Sequence, residues 1–531
     1  MSALPAIATI PQLLALSAER HAGHVAIDDA GVRLTYAELH AQVLRAARAL
    51  IALGIRTGDR VAVWGPNIHE WIVAALAIQT AGGVLVPVST RMKGLEAADV
   101  LQQSEARVLF CIGDFLGQFF PRLLDGHDLP ALQYRIVLRG GAQDRPRTLD
   151  WDAFLAHSER TDDATLARRM AEVKPDSLSD VLYTSGTTGR PKGVMTTHAQ
   201  NLRAFECWTG VLGMTSADRY LIVNPFFHSA GYKAGWLAAL IRGATILPHP
   251  VFDAEQILLR IAQERISFLL GPPTLFLTLL AHPRVKEFDL SCLRVAVTGA
   301  ASVPPVLVRR MRDELGFRIV VTAYGLTECC GFATICNPQD DAETIANTCG
   351  QAIPDVEVRC ADPQGNTVPA GEPGEVLIRG YNVMQGYLNN EAATREAIDA
   401  EGWLHTGDVG VMDDKGYLRI TDRMKDMFIV GGFNCYPAEI ERLANAHPAI
   451  ANIAVIGAAD ERQGEVGRAF IVLRPGTTLS AEEFVAWCRA HMTNYKVPRY
   501  VDILPALPLN GAGKVDKLAL RAMPQVSPIG R

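Results

Sequence analysis

Short apolar runs recur along most of the chain, and each ends at glycine, proline or threonine. "DRVAVWG", "ARVLFCI", "DVLYT", "ATILPH", "ISFLLG", "LRVAVTG" and "RIVVTAYG" are rich in β-branched residues and read as buried strands. Amphipathic stretches separate them. In "TYAELHAQVLRAARALIALG" the apolar positions follow helical spacing; Thr35 stands as an N-cap with Glu38 completing a capping box, and Gly54 closes the helix. Strands alternating with helices predict an α/β protein with mainly parallel sheets covered by helices. In such folds ligands gather at the carboxyl ends of the strands.

The pattern changes near Gly350. "DVEVRCADPQGNTVPAGEPGEVLIRG" has turn residues every few positions and predicts antiparallel strands, a small β-barrel-like subdomain. A compact α+β piece follows, with helices near Pro437–Ala446 and Ala481–His491. These features place the domain boundary at Lys425, giving an N-terminal domain of residues 1–424 and a small C-terminal domain of residues 425–531. The most apolar stretch, Ile72 to Val88, is broken by Gln79, Thr80, two glycines and Pro87, so it predicts helix, turn and strand rather than a membrane span.

Composition narrows the classes. The 531 residues are 49% hydrophobic and 20% charged, with a net charge of −6, which gives no general attraction to nucleic acid or anionic membrane. No apolar leader follows a basic start, so a cytoplasmic protein is expected. The ten cysteines are scattered without a CxxC, which predicts reduced thiols; Cys329 and Cys330 are adjacent and read as packing residues, with a reactive thiol as the alternative.

"YTSGTTGRPKGVM", from Tyr183 to Met195, follows a strand-like run and carries phosphate-binding chemistry. Gly186 and Gly189 allow close backbone approach, Thr184, Ser185, Thr187 and Thr188 offer hydroxyls, and Lys192 adds charge. The glycine-to-lysine spacing does not fit a Walker A loop, and no hydroxyl residue follows the lysine. Glu328, beside a glycine turn, suits an oxygen-preferring cation such as Mg²⁺.

Six motifs in order resemble the adenylate-forming superfamily, in its acyl-CoA synthetase branch. They are the loop above, "TAYGLTE" (Thr322–Glu328), "GWLHTGD" (Gly402–Asp408), "ITDRMKD" (Ile420–Asp426), "GGFNCYPAEIE" (Gly431–Glu441) and "PLNGAGKVDK" (Pro508–Lys517). The resemblance implies a two-step ligase using ATP, Mg²⁺ and coenzyme A, with a mobile C-terminal domain. It implies that Thr184 and Glu328 hold the metal, and that Gly299, Ala300 and Ala301 pack against adenine near Ala323, Tyr324, Gly325, Leu326 and Thr327. Asp408 would bind the ribose, Arg423 the ribose or α-phosphate, and Lys514 the α-phosphate during adenylation. Lys425 would be the hinge, while Gly431, Gly432 and Arg468 would meet CoA. Acylation of Lys514 by a protein acyltransferase is implied by related ligases, and a homodimer is a further expectation.

The matching acyl-pocket segment is "NPFFHSAGYKAG". It makes Phe227, His228, Ser229, Ala230 and Gly231, with Ala300 and Gly325, the expected pocket, and His228 the residue that orients the carboxylate or gates entry. Lys233 reads as a rim lysine or as a polar handle for a keto group. The segment from Phe226 to Gly235 holds no acid to receive an amino-acid ammonium. "PFFHSAGYKAG", "FDLSCLRVAVTGAASVP" and "GEVGRAF" are similar to the actinobacterial ligases acting on the propanoate that bears the last two sterol rings. The expected substrate is therefore a fatty acid or an alicyclic, sterol-ring-derived propanoate. The competing readings are an adenylating enzyme that loads a carrier protein, and an inactive member that only binds nucleotide.

Overall fold

The structure, a computed structural model, describes residues 8–529 except 144, 185–190, 300–302, 424–427, 431–432, 436, 461–462, 493 and 512. It divides into two compact units. The first takes the chain up to Glu357 and returns for Ile378–Leu404; the second takes Val358–Leu377 and the chain from His405 onward.

Among the described residues, the first unit is built on two large sheets of nine and eight strands. Parallel pairing dominates both. In the larger, Ile319–Tyr324, Val295–Thr298, Phe268–Gly271, Arg219–Ile222, Thr245–Pro248 and Val25–Asp29 run parallel in that spatial order. In the other, Leu178–Thr184 pairs parallel with Val84–Val88 and antiparallel with Lys192–Thr197, so the phosphate-loop motif leaves one strand and re-enters the sheet on its neighbour. Antiparallel strands sit only at or near the sheet edges, as expected for mixed sheets of this kind.

Local signals in the sequence decide several elements. Tyr36–Ala52 is a helix whose capping box joins Thr35 and Glu38, and it ends in paired bonds from Gly54 N–H to the Ile51 carbonyl and from Ile55 N–H to the Leu50 carbonyl. The apolar stretch expected as helix, turn and strand is the helix His69–Thr80 followed by the strand Val84–Val88. Nearly every residue of that helix is buried, so its all-round apolar face marks an interior helix. No helix among the described residues is long and apolar enough to cross a membrane.

The second unit contains most of a four-stranded sheet, formed by Val356–Ala361, Pro373–Gly380, Leu404–Met412 and Leu418–Arg423, the first three of which have residues in the first unit's segments. Its C-terminal part is α+β. The long hairpin Ile450–Asp460 and Gly464–Leu473 packs with helices Pro437–Ala444 and Ala481–His491 around Phe428, Phe484, Val455 and Ile471.

One buried histidine makes this fold acid-sensitive. The Ile10 amide donates to His198 Nδ1 at 3.3 Å, tying the first helix to the helix His198–Val211. Burial lowers the His198 imidazole from 6.5 to about 4, so the unfolded chain takes up the proton first as pH falls. His198 therefore removes about 3 kcal/mol of stability between pH 6.5 and pH 4 and has no such effect above that window. Thermal unfolding of His198→Asn across that range should show a correspondingly smaller acid-side loss.

Candidate active site

The strand Leu178–Thr184 ends where its neighbour Lys192–Thr197 begins, and Thr184 faces Lys192 across the ladder. A second edge, Gly386–Tyr387, pairs with the same strand, so Tyr387 lies opposite Val194. The turn after Ile319–Tyr324 brings in the short helix Thr327–Cys329. Thr184 Oγ1 donates to Glu328 Oε1 at 3.4 Å, and the Tyr387 hydroxyl donates to the same oxygen at 3.0 Å. The Glu328 carbonyl accepts from Met384 N–H at 2.8 Å, which fixes the backbone beneath the carboxylate. Lys192 Nζ lies 5.0 Å from the Tyr387 ring centroid. Burial pushes the Tyr387 phenol up, and the adjacent Glu328 carboxylate pushes it further, so it stays protonated and donates.

Thr184, Lys192 and Glu328 thus lie together, and Tyr387 joins them unforeseen. The carboxylate and hydroxyl oxygens form a hard donor set that fits Mg²⁺, an ion that retains waters and takes few protein ligands. Gly325 makes the turn possible: a Cβ there would lie 2.2 Å from Phe332 Cα. Ala323, Tyr324, Leu326 and Thr327 line the same half-buried turn. Gly299 follows the strand Val295–Thr298 beside it. Thr298 is 2% exposed, and its Oγ1 has no hydrogen-bond partner among the described residues. Ser185, Gly186, Thr187, Thr188, Gly189, Ala300 and Ala301 lie outside the described residues.

The expected acyl wall starts at His228. Its Nδ1 accepts from the Ala230 amide at 3.2 Å, and its carbonyl accepts from Gly231 and Tyr232. His228 is exposed, Phe227 and Ala230 are half-buried, and Ser229 and Gly231 are buried. Asn67, also unforeseen, braces the approach by donating to the Ile222 and Asn224 carbonyls and accepting from the Phe226 amide. The wall lies close to the carboxylate turn, where a Cβ added to Gly331 would come to 3.4 Å from Ser229 Cβ.

Lys233 is placed differently from either expectation. It is fully buried, with Nζ 3.1 Å from Asp180 Oδ1, so it is neither a rim residue nor a handle open to a ligand. Cys329 and Cys330 are also buried, and burial pushes both thiols up to about 12, which suits packing and disfavours nucleophilic use. None of the ten cysteines is joined in a disulfide. A separate cluster of Asp29, His69 and Glu70 has oxygen and nitrogen donors close together, but Arg139 bridges its two carboxylates at 2.6–2.8 Å and satisfies them.

In the second unit, Asp408 is 4% exposed and sits opposite Arg423 in the ladder of Leu404–Met412 and Leu418–Arg423. The Arg423 side chain, Lys425, Gly431 and Gly432 lie outside what the structure describes. Lys514 is exposed at the end of a tight turn. The Asn510 amide donates to the Lys514 carbonyl at 2.8 Å, the Lys514 amide donates to Asn510 Oδ1 at 3.1 Å, and Gly513 takes φ +76°. Arg468 corrects the expectation of a CoA contact. It is 3% exposed, forms a two-pronged pair with Asp502 at 2.8 and 3.1 Å, and donates to the Met523 and Pro524 carbonyls. A guanidinium so fully used inside its own unit is a structural brace and has little left for phosphate.

The AMP-binding enzyme family matches residues 14–388, and its C-terminal domain family matches residues 439–514, so the chain belongs to the AMP-binding enzymes. It is 50% identical over 97% of its length to the 7a-methyl-1,5-dioxo-octahydroindenyl-propanoyl:CoA ligase of Mycobacterium tuberculosis, covering 99% of that protein. The ligase of the same name from Rhodococcus jostii is 47% identical over 97% of this chain and 98% of its own length. Among solved structures, the anthranilate CoA ligase AuaEII in complex with anthranoyl-AMP superposes with a TM-score of 0.87 at 26% identity, covering 98% of each chain. The chain is an AMP-forming acid–CoA ligase: ATP and a carboxylic acid give acyl-adenylate, and CoA converts it to the thioester.

Proposed function

We propose that the acid is a propanoate on a fused two-ring diketone derived from a sterol, and that the enzyme serves steroid catabolism in the cytoplasm. The observation that carries this reading is the 50% identity, sustained over 97% of the chain, to a ligase named for that acid. The site is compatible with it. The wall Phe227–Gly231 holds aromatic and small residues and no acid of its own, and the nearby Asp180 carboxylate is neutralised by Lys233.

In this reading Thr184, Lys192 and the loop between them hold the β- and γ-phosphates, while Asp408 and Arg423 hold the ribose. Thr184 and Glu328 would hold Mg²⁺, which when bound would offset phosphate charge. A carboxylate oxygen of the acid attacks the α-phosphorus, the bond to the β-phosphate oxygen breaks, and pyrophosphate departs. Lys514 stabilises charge at the α-phosphate in that step. The CoA thiolate then attacks the acyl carbon and AMP leaves. Residues 1–424 and 425–531 move about Lys425 between the two steps, and Gly431 and Gly432 meet CoA. A homodimer and reversible acylation of Lys514 complete the proposal.

A panel of linear, branched, aromatic and bicyclic diketo acids, assayed for CoA-dependent AMP release, tests the substrate. The bicyclic propanoate should give the highest kcat/KM, and preference for a linear fatty acid would reject it. His228→Ala should raise the KM for the acid by about tenfold and leave that for ATP near its original value, in line with loss of one positioned contact. Equal effects on both would place His228 outside the pocket.

A further inference from the structure

We propose that the buried Asp180–Lys233 ion pair is a positioning element that holds the acyl wall against the strands framing the phosphate loop, and so sets affinity for the acid. Both side chains are 0% exposed. Lys233 Nζ lies 3.1 Å from Asp180 Oδ1 and donates to Thr196 Oγ1 at 2.9 Å. Asp180 also accepts from Thr196 Oγ1 at 2.8 Å, from Asn201 Nδ2 at 2.7 Å and from the Tyr232 hydroxyl at 3.4 Å.

The connectivity gives this network its role. Asp180 lies on the strand that enters the phosphate loop and Thr196 on the strand that leaves it. Lys233 and Tyr232 lie on the wall segment that begins at His228. The two strands are already fixed by ladder bonds to each other and to their outer neighbours. The wall has no ladder and is held by side chains instead: besides the ion pair, Asn67 accepts from the Phe226 amide, Gln79 Nε2 donates to the Tyr232 hydroxyl at 2.8 Å, and the Tyr220 hydroxyl donates to the Ala234 carbonyl at 3.1 Å. It is a three-residue helical turn, Ser229–Gly231, followed by a π-helical turn, Tyr232–Leu237, with Gly235 at φ −90° and ψ −107°, outside helical geometry.

Burying two charges is a poor way to gain stability, because apolar residues of similar volume often do as well. It is a good way to select one arrangement, since a displaced wall would strand both charges. Ser229 of the wall also lies close to Gly331, just past the turn bearing Glu328. A shift of the irregular segment would move Phe227 and His228 while the strands and the Thr184–Glu328 pair stayed in place.

The inference rests on reading Phe227–Gly231 as the acyl wall. Its test compares Lys233→Met, the charge-free double variant Asp180→Asn with Lys233→Met, and the near-isosteric Thr196→Val. In the double variant the KM for the acid should rise about tenfold or more, with the KM for ATP within about twofold and the melting temperature lowered by about 5 °C or less. Thr196→Val should raise the KM for the acid alone by a smaller factor, and it decides the matter if the Lys233 variants do not fold. Lower melting temperatures with an unchanged ratio of acid KM to ATP KM would overturn the proposal and leave a structural pair. His228→Ala separates the two levels: if it raises the KM for the acid and the pair variants do not, only the positioning role fails. If neither does, the wall assignment itself fails.

Discussion

Replacing Lys514 with alanine lowers the rate of acyl-adenylate formation by about a hundred- to a thousandfold, while transfer from supplied acyl-adenylate to CoA keeps roughly its original rate. The asymmetry follows from the turn that carries the residue. Asn510 closes it from both sides, its amide donating to the Lys514 carbonyl and its side chain accepting from the Lys514 amide, and Gly513 supplies the left-handed step. The backbone is thus held at the tip while the ammonium projects into an exposed position. In the proposed mechanism this charge acts where negative charge redistributes about the α-phosphate, whereas thioester formation breaks the acyl C–O bond and changes no bond at phosphorus. Alanine keeps the turn and removes only the charge. Rapid-quench measurement of each half-reaction checks this, and an equal fall in both would assign Lys514 to folding or to CoA.

Glu328→Gln raises the Mg²⁺ concentration needed for half-maximal activity by about tenfold and slows adenylation by about a hundredfold. Glutamine can still accept from Tyr387 and Thr184, so the turn keeps its shape and only the negative charge is lost. Tyr387→Phe should give a smaller effect, about tenfold or less, because it frees the carboxylate to rotate without removing it. Titrating Mg²⁺ at saturating ATP distinguishes the two. An unchanged Mg²⁺ requirement in Glu328→Gln would remove Glu328 from the metal site.

Much of this arrangement is legible in local sequence. The Thr35–Glu38 capping box, the apolar interior helix at His69–Thr80 and the strand-ending glycine motifs are short-range signals, and the structure places them where those signals point. What was missed is long-range. Tyr387 meets Glu328 from 59 positions away, and Lys233 meets Asp180 from 53 positions away, across elements whose pairing no local pattern specifies. A clue was nonetheless present. Asp180 interrupts the apolar run "SDVLY", and a carboxylate inside a buried strand requires a cation. Arg468 carries a similar clue, an arginine within the buried alternation of "GRAFIVL", where Asp502 on the neighbouring strand answers it. Motif position says nothing of burial, so it reads Lys233 as a rim lysine or a keto-group handle and Arg468 as a CoA contact, where both are buried and paired.

Acid-dependent exchange of labelled pyrophosphate into ATP, with CoA omitted and the bicyclic diketo propanoate as substrate, tests the central claim most directly. The account predicts exchange that requires this acid, falls sharply in Lys514→Ala and is followed by stoichiometric thioester and AMP when CoA is added. Exchange that requires CoA, or release of ADP in place of AMP, would contradict it.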